Sequence, residues 1–124
     1  MKADTYSTAR GRFGLLQIMI VLLTVITAVI HLMLAFVAPD PLFTPLFLLN
    51  GVAYLLLLAG LYLPLPFTQG RKGLVRWALI GLAALTILAW LVVGDKTLPG
   101  ATLAYITKAV EVGLIILLLL DRRN

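Results

Sequence analysis

Cysteine is absent from this sequence, and charged residues make up only 12% of it. The absence of cysteine excludes disulfides, thiolate metal sites, thiol redox chemistry and lipidated cysteine. Most charges fall between long apolar runs, and hydrophobic residues make up 62% of the chain, against roughly 45–50% in a soluble domain. This separation is typical of membrane proteins, because lipid offers no partners for charges or for an open backbone.

The formal net charge of +5 does not indicate a nucleic-acid partner. The basic residues flank the apolar runs, where they set membrane topology, and they form no aromatic-rich basic groove. We expect no cleavable signal at the N-terminus. The apolar run after the polar arm of residues 1–12 is too long for a signal sequence and lacks a small-residue cleavage pattern, so it is expected to be retained as a span.

Four apolar runs are each near the ~20 residues that a helix needs to cross the hydrocarbon core. Turn signals of proline, glycine and aspartate separate them, and no run alternates polar and apolar residues as a membrane β-strand does. The predicted spans are about 13–37, 43–63, 74–93 and 101–120. Because the connecting loops are short, the sequence predicts an all-α, up-down-up-down four-helix bundle in the membrane, as a single domain over residues 1–124.

Lysine and arginine collect at one end of the predicted bundle. That end carries Lys2, Arg10, Arg12, Arg71, Lys72, Arg76, Arg122 and Arg123, whereas the other carries only Lys96. The positive-inside rule therefore places both termini and the middle loop in the cytoplasm. We expect a multi-pass protein of the plasma (inner) membrane, with the turns around Pro39 and Asp95 outside.

Lys108 and Glu111 interrupt the last apolar run, at a depth where an unpaired charge costs at least ~2.5–3.5 kcal/mol. Other spans carry polar residues at a similar depth: at ~1.5 Å of rise per residue, His31, Asn50 and Thr86 lie ~10–12 Å below the outer ends. Polar groups that face lipid are costly, so we expect these polar residues to face the bundle axis. The predicted ligand- or ion-binding site comprises Lys108, Glu111, His31, Asn50, Tyr54 and Thr86. The inner half is expected to be mostly leucine, isoleucine and alanine.

Periodicity supports this orientation of the polar residues. Gln17, Thr24, Thr27 and His31 recur at spacings of seven, three and four, which marks one stripe of the first helix. Asn50 and Tyr54, four residues apart, likewise share a face of the second helix.

The polar layer permits two interpretations. In the first, Lys108 holds an anionic group or a proton, Glu111 balances Lys108 or relays the proton, and His31 titrates near neutral pH. In the second, the layer is structural: its uncharged members hydrogen-bond across helices at ~0.6 kcal/mol on average, and the Lys108–Glu111 ion pair fixes helix register.

The same residues do not indicate a metal or haem site. His31 is the only histidine, so bis-histidine haem requires a second copy of the chain. A metal ion held by His31 and Glu111 would be repelled by Lys108. No nucleophile–base pair occurs at a convincing spacing, so the sequence predicts no catalytic residues and no cofactor, and it does not favour an enzyme.

Two segments carry a resemblance to known proteins: Leu46–Pro64 (LFLLNGVAYLLLLAGLYLP) and Tyr105–Leu120 (YITKAVEVGLIILLLL). They resemble the small four-helix membrane proteins of bacteria and archaea, including the DoxX-like type. The resemblance implies the four-helix fold and no particular activity.

The leading functional expectation is a small integral membrane protein whose outward-facing polar site binds or passes a small solute, ion or proton. The alternative is an accessory or assembly subunit of a larger membrane complex, with a purely structural polar layer. Ala109 and Gly113 form a small-residue pair that serves either a contact within the bundle or a homodimer seam. The expected partners are therefore the lipid bilayer and either a second copy or a larger complex.

Overall fold

Four α-helices form the computed structural model, which describes residues 14–37, 40–94, 96–97 and 101–121. They are α1 (Leu15–Val37), α2 (Phe43–Tyr62), α3 (Lys72–Val93) and α4 (Thr102–Asp121). Within those ranges no residue belongs to a strand. The prediction of an all-helical chain with four helices is confirmed, and each helix is long and apolar enough to cross a membrane.

The helix bounds lie close to the predicted spans. The third helix begins at Lys72 rather than at residue 74, and the fourth ends at Asp121 rather than at residue 120. Other parts of the sequence prediction lie outside the described residues. They are the polar arm of residues 1–12, Phe13, Pro39, Asp95, Pro99, Gly100, Arg122 and Arg123.

The helices pack as a ring, in which α1 and α3 each contact both α2 and α4. Gln17 at the start of α1 bonds Asp121 at the end of α4, and Arg76 early in α3 contacts the same carboxylate. These pairs run antiparallel, and the short loops make the other neighbours antiparallel too. The α1–α2 and α3–α4 loops share one end, the predicted outer end, and the α2–α3 loop lies at the predicted inner end.

Aliphatic residues fill the interior, and others cover the outside. Ile20, Leu79, Leu114 and Leu118 are fully buried. Large apolar side chains also cover the outward faces of all four helices, among them Leu15, Leu49, Leu74, Val92 and Ile116. A soluble monomer rarely exposes so much contiguous apolar surface.

The first two helices approach closely at Gly51. A Cβ atom at this position would lie 2.7 Å from Leu32 Cγ and 2.9 Å from the carbonyl oxygen of Ala28. Small residues permit such backbone approach between membrane helices. The two residues of the predicted small-residue pair on α4 lie in different surroundings. A Cβ at Gly113 would meet Leu23 of α1 at 3.5 Å, whereas Ala109 is exposed.

Lys72 closes the turn between α2 and α3. Its Nζ donates to the carbonyl oxygens of Gly60 at 2.7 Å and Leu63 at 2.6 Å, and to Thr68 Oγ1 at 3.2 Å. The last carbonyls of a helix have no partner within the helix, and a cation there also opposes the helix dipole. This lysine therefore holds the inner end of α2 in addition to any part it has in topology.

We predict that Gly51→Ala destabilises the bundle by about 1–3 kcal/mol, since the added methyl group must displace Leu32 or the α1 backbone. Gly81→Ala on α3 is the matched control, because a Cβ there meets no atom within 4 Å. Both changes give the same gain in helix propensity. Unfolding of the purified chain in mixed micelles measures the difference, and equal stabilities of the two variants would contradict the assigned contact.

Candidate functional site

Glu111 lies in the bundle interior with no exposed surface. Lys108 Nζ donates to its Oε1 at 2.7 Å. Thr27 Oγ1 and Tyr54 OH donate to its Oε2 at 2.9 Å and 3.0 Å. A buried charge is tolerated only when it is paired and hydrogen-bonded, and these donors from three helices meet that requirement. We name Glu111, Lys108, Thr27, Tyr54 and the adjacent His31 the Glu111 cluster.

The geometry of α4 explains why Lys108 and Glu111 pair. The two residues are three positions apart and therefore share one helix face. Lys108 is nearer the predicted outer end, and 12% of its side chain is exposed against none for Glu111. Lys108 is thus only partly buried, and its ammonium group reaches the buried carboxylate.

His31 places a second titratable group beside Glu111. Its Nδ1 lies 2.8 Å from the carbonyl oxygen of Thr27, one turn earlier on α1. A carbonyl only accepts, so Nδ1 carries the hydrogen. The other ring nitrogen, Nε2, then lies 3.9 Å from Glu111 Oε2. In the neutral imidazole Nε2 is an acceptor, so a single proton placed between these two atoms can be held by either.

Asn50 and Thr86 link α2 and α3 beside this cluster. Asn50 Nδ2 donates to Thr86 Oγ1 at 2.8 Å, and the Thr86 hydroxyl donates to the Leu82 carbonyl oxygen at 2.8 Å. The Thr86 hydroxyl also neighbours that of Tyr54. Asn50 Oδ1 is buried and accepts no hydrogen bond from the described residues, so it has acceptor capacity for a ligand or a water molecule.

The structure thus brings the six predicted site residues near one another in two groups. Lys108, Tyr54 and His31 surround Glu111 directly, and Asn50 and Thr86 pair beside Tyr54. The predicted site omitted Thr27, which bonds the carboxylate itself. Its position four residues before His31, on the same polar stripe, was the available signal.

A second buried polar cluster lies at the predicted inner end. Gln17 Nε2 donates to Asp121 Oδ1 at 2.7 Å, and Arg76 Nη2 lies 3.5 Å from Asp121 Oδ2. The Tyr62 hydroxyl lies beside the same carboxylate. Asp121, Gln17 and Arg76 form what we call the Asp121 cluster, and the side chain of Asp121 is only 6% exposed.

The Asp121 cluster was not predicted, because an acidic residue at the end of an apolar run is typical of the water interface. The inner half is therefore less uniformly aliphatic than expected. A signal was present in the spacing of the residues that α4 buries: Thr107, Glu111, Leu114, Leu118 and Asp121. Steps of four, three, four and three residues mark one continuous helix face, and Asp121 continues it.

Apolar side chains separate the two clusters. Leu114 and Leu118 occupy the α4 stripe between Glu111 and Asp121 and are fully buried, together with Ile20 and Leu79 from the neighbouring helices. Ten residues of α4 span about 15 Å. The Glu111 cluster is therefore closed toward the inner end, and its partly exposed member, Lys108, lies toward the outer end.

We predict that Tyr54→Phe lowers the free energy of unfolding by about 1–3 kcal/mol, because a buried carboxylate loses a donor. Tyr105→Phe is the matched control: it also removes a tyrosine hydroxyl bond, to the Lys96 carbonyl oxygen at 3.0 Å, but Tyr105 is 43% exposed. That control should change stability by less than about 0.5 kcal/mol. In a Glu111→Leu background the cost of Tyr54→Phe should fall, and an unchanged cost would show that the bond to Glu111 contributes nothing.

Comparison with known proteins gives no match: no protein-family model, no curated protein and no solved structure matches the chain. Within the described part of the chain, no group of three or more His, Cys, Asp or Glu side chains is placed to hold a metal ion. The geometry of the Glu111 cluster is therefore the observation that bears on function.

Proposed function

We propose that this is a small integral protein of the plasma (inner) membrane, with its four helices across the lipid bilayer and both termini in the cytoplasm. The length and apolar character of the helices support the proposal, as do the large apolar side chains on their outward faces. The orientation rests on Arg71, Lys72 and Arg76 at one end of the helices against Lys96 at the other. The DoxX-like resemblance stays a prediction about the fold.

We further propose that the Glu111 cluster binds and passes a proton. The observation that carries this proposal is a fully buried carboxylate with an imidazole nitrogen 3.9 Å away. Intramembrane carboxylates and histidines are costly, and chains of them form the proton relays of pumps and transporters. Glu111 is the proton acceptor, and His31 Nε2 is the group with which it exchanges.

The route to the site runs from the outer end in this proposal. Lys108 and Asn50 are only partly buried, whereas Leu114 and Leu118 close the inner side. Protons therefore reach Glu111 from outside in the described conformation. Passage to the cytoplasm requires the apolar layer to open, so a helix displacement would accompany each transfer.

The alternative, an accessory or assembly subunit, has one observation in its favour. The outward face of α3 carries exposed small residues, Ala78, Gly81 and Ala89, and a Cβ at Gly81 would meet open space. Small residues let another helix approach closely in a membrane. A homodimer or a larger membrane complex could form on this face, with the Glu111 cluster fixing helix register.

The absence of cysteine allows a direct test of the proposed topology with single introduced cysteines. We predict that a membrane-impermeant maleimide labels Asp40→Cys in intact cells and labels Gln69→Cys only after permeabilisation. Both residues are exposed, in the α1–α2 and α2–α3 loops respectively. The cysteine-free parent controls for background labelling, and the reverse pattern would invert the proposed orientation.

For the proposed activity, we predict proton flux into proteoliposomes made with the purified protein. The vesicles contain potassium chloride and an internal pH dye, and valinomycin holds the membrane potential at zero while a pH gradient is imposed. Glu111→Gln should reduce the flux to that of protein-free vesicles, because the amide cannot bind the proton.

Asp40→Asn is the matched control, since it neutralises an exposed carboxylate in the α1–α2 loop and should leave the flux unchanged. A folded Glu111→Gln variant with full proton flux would refute the proposed function. If the unmodified protein gives no flux but co-purifies with membrane partners in gentle detergent, the accessory-subunit hypothesis is favoured instead.

A further inference from the structure

The Glu111 cluster is electrically neutral as a whole. Lys108 contributes one positive charge and Glu111 one negative charge. His31 is neutral when only Nδ1 carries a hydrogen. The groups that face Glu111 from the other helices are Thr27 and His31 on α1 and Tyr54 on α2, with Thr86 on α3 beside Tyr54. No other formal charge contacts the cluster among the described residues, so any single added charge stays uncompensated.

Lys108 has unused hydrogen-bonding capacity. An ammonium group has three N–H donors and no acceptor. Of the described residues, only Glu111 accepts from it, through Oε1 at 2.7 Å. Its side chain is 12% exposed, and Lys108 precedes Glu111 on α4, nearer the predicted outer end. The ammonium group therefore contacts Glu111 and keeps N–H donors that no described residue accepts.

Proton binding at Glu111 affects its three donors differently. The hydroxyls of Thr27 and Tyr54 can either donate or accept, so they can reorient around a neutral carboxylic acid. The ammonium of Lys108 can only donate, and it loses its counterion. The cluster then carries one net positive charge in the bundle interior, where charge is expensive.

We propose that a small monovalent anion binds the Lys108 ammonium as a proton binds Glu111, so that the site takes up both together. This rests on the proposed function, since it requires Glu111 to accept a proton. Either ligand alone leaves the cluster charged, and both together keep it neutral. By thermodynamic reciprocity, the proton strengthens anion binding as much as the anion strengthens proton binding.

A cation is the less suitable co-ligand for this cluster. It would compete with Lys108 for Glu111 at close range to a fixed positive charge, and like charges repel strongly in a low-dielectric interior. An anion instead meets the free N–H donors on the partly exposed side of Lys108. The chemistry of the pair therefore selects an anion with its proton.

The test uses the full chain in detergent at low buffer strength, titrated with sodium chloride or sodium nitrate, with a pH indicator to count protons. Sodium gluconate at equal ionic strength controls for salt, and calorimetry measures anion binding. We expect about one proton taken up for each anion bound, and an apparent affinity that rises about tenfold per unit fall in pH, as one-proton linkage requires.

Two pairs of variants assign the two ligands to their groups. Lys108→Met should abolish anion binding, whereas Lys96→Met, which removes an exposed ammonium bonded to the Gly94 carbonyl oxygen at 2.7 Å, should not. Glu111→Gln should bind the anion without proton uptake and with an affinity independent of pH, and Asp40→Asn should behave as the parent. If Lys108→Met does not fold, Lys108→Gln replaces it, and the proton count on the parent still decides.

Three outcomes would overturn the inference. They are no binding of chloride or nitrate, anion binding without proton uptake, and unchanged anion binding by folded Lys108→Met. The proposed function survives them if the vesicle proton flux still depends on Glu111 and persists when gluconate replaces chloride. Loss of Glu111-dependent flux together with linked binding in detergent would mean that the site binds both ligands but does not pass them.

Discussion

The structure depends on the burial of one carboxylate. Glu111 receives hydrogen bonds from Thr27 on α1, Tyr54 on α2 and Lys108 on its own helix. An ionised group in a low-dielectric interior is tolerable only if all such partners are in place, so the rotations of three helices are fixed together. The tyrosine crosses the diagonal between α2 and α4, whose backbones do not contact each other directly. The hydrogen bond from this side chain to Glu111 therefore connects α2 to α4 without direct packing of the two helices.

The two buried clusters differ in the chemical groups that they contain. Asp121 is bound by Gln17 from α1 and approached by Arg76 from α3, so it joins the inner ends of three helices. This cluster pairs a carboxylate with a guanidinium group and contains no imidazole, since His31 is the only histidine. The Glu111 cluster instead contains a carboxylate, an imidazole and the ammonium group of a partly exposed lysine side chain. Under the proposed function its charge changes, and the apolar layer around Leu114 separates it from the Asp121 cluster.

Sequence patterning predicted the features that depend on periodicity, namely the helices and their polar faces. It missed individual contacts, which depend on how one helix is oriented relative to another. The apolar runs predicted the four helices. The similar depth of the polar residues predicted that Glu111 and its partners lie close together. Thr24 and Thr27 share one stripe, yet the first bonds the Ile20 carbonyl oxygen and the second bonds Glu111. The two threonines lie about 60° apart around the helix axis and about 4.5 Å apart along it, so their neighbours on the other helices differ. The close approach of α1 and α2 at Gly51 depends on the positions of both backbones. The sequence alone does not predict it, because a glycine in an apolar helix has the same sequence context with or without a neighbouring helix.

The energetics of buried ion pairs support the proposal that the Glu111 cluster is a functional site. Replacing such a pair by well-packed apolar residues is often neutral or stabilising, so stability alone gives no reason for Lys108 and Glu111. A histidine whose Nε2 faces the carboxylate at 3.9 Å adds a further buried polar group and no strong bond to Glu111. Under the proposed function, these costs are offset because the charge on the cluster changes during activity. In that case the neutral Lys108–Glu111 ion pair is the resting state, in which neither the proton at Glu111 nor the anion at Lys108 is bound.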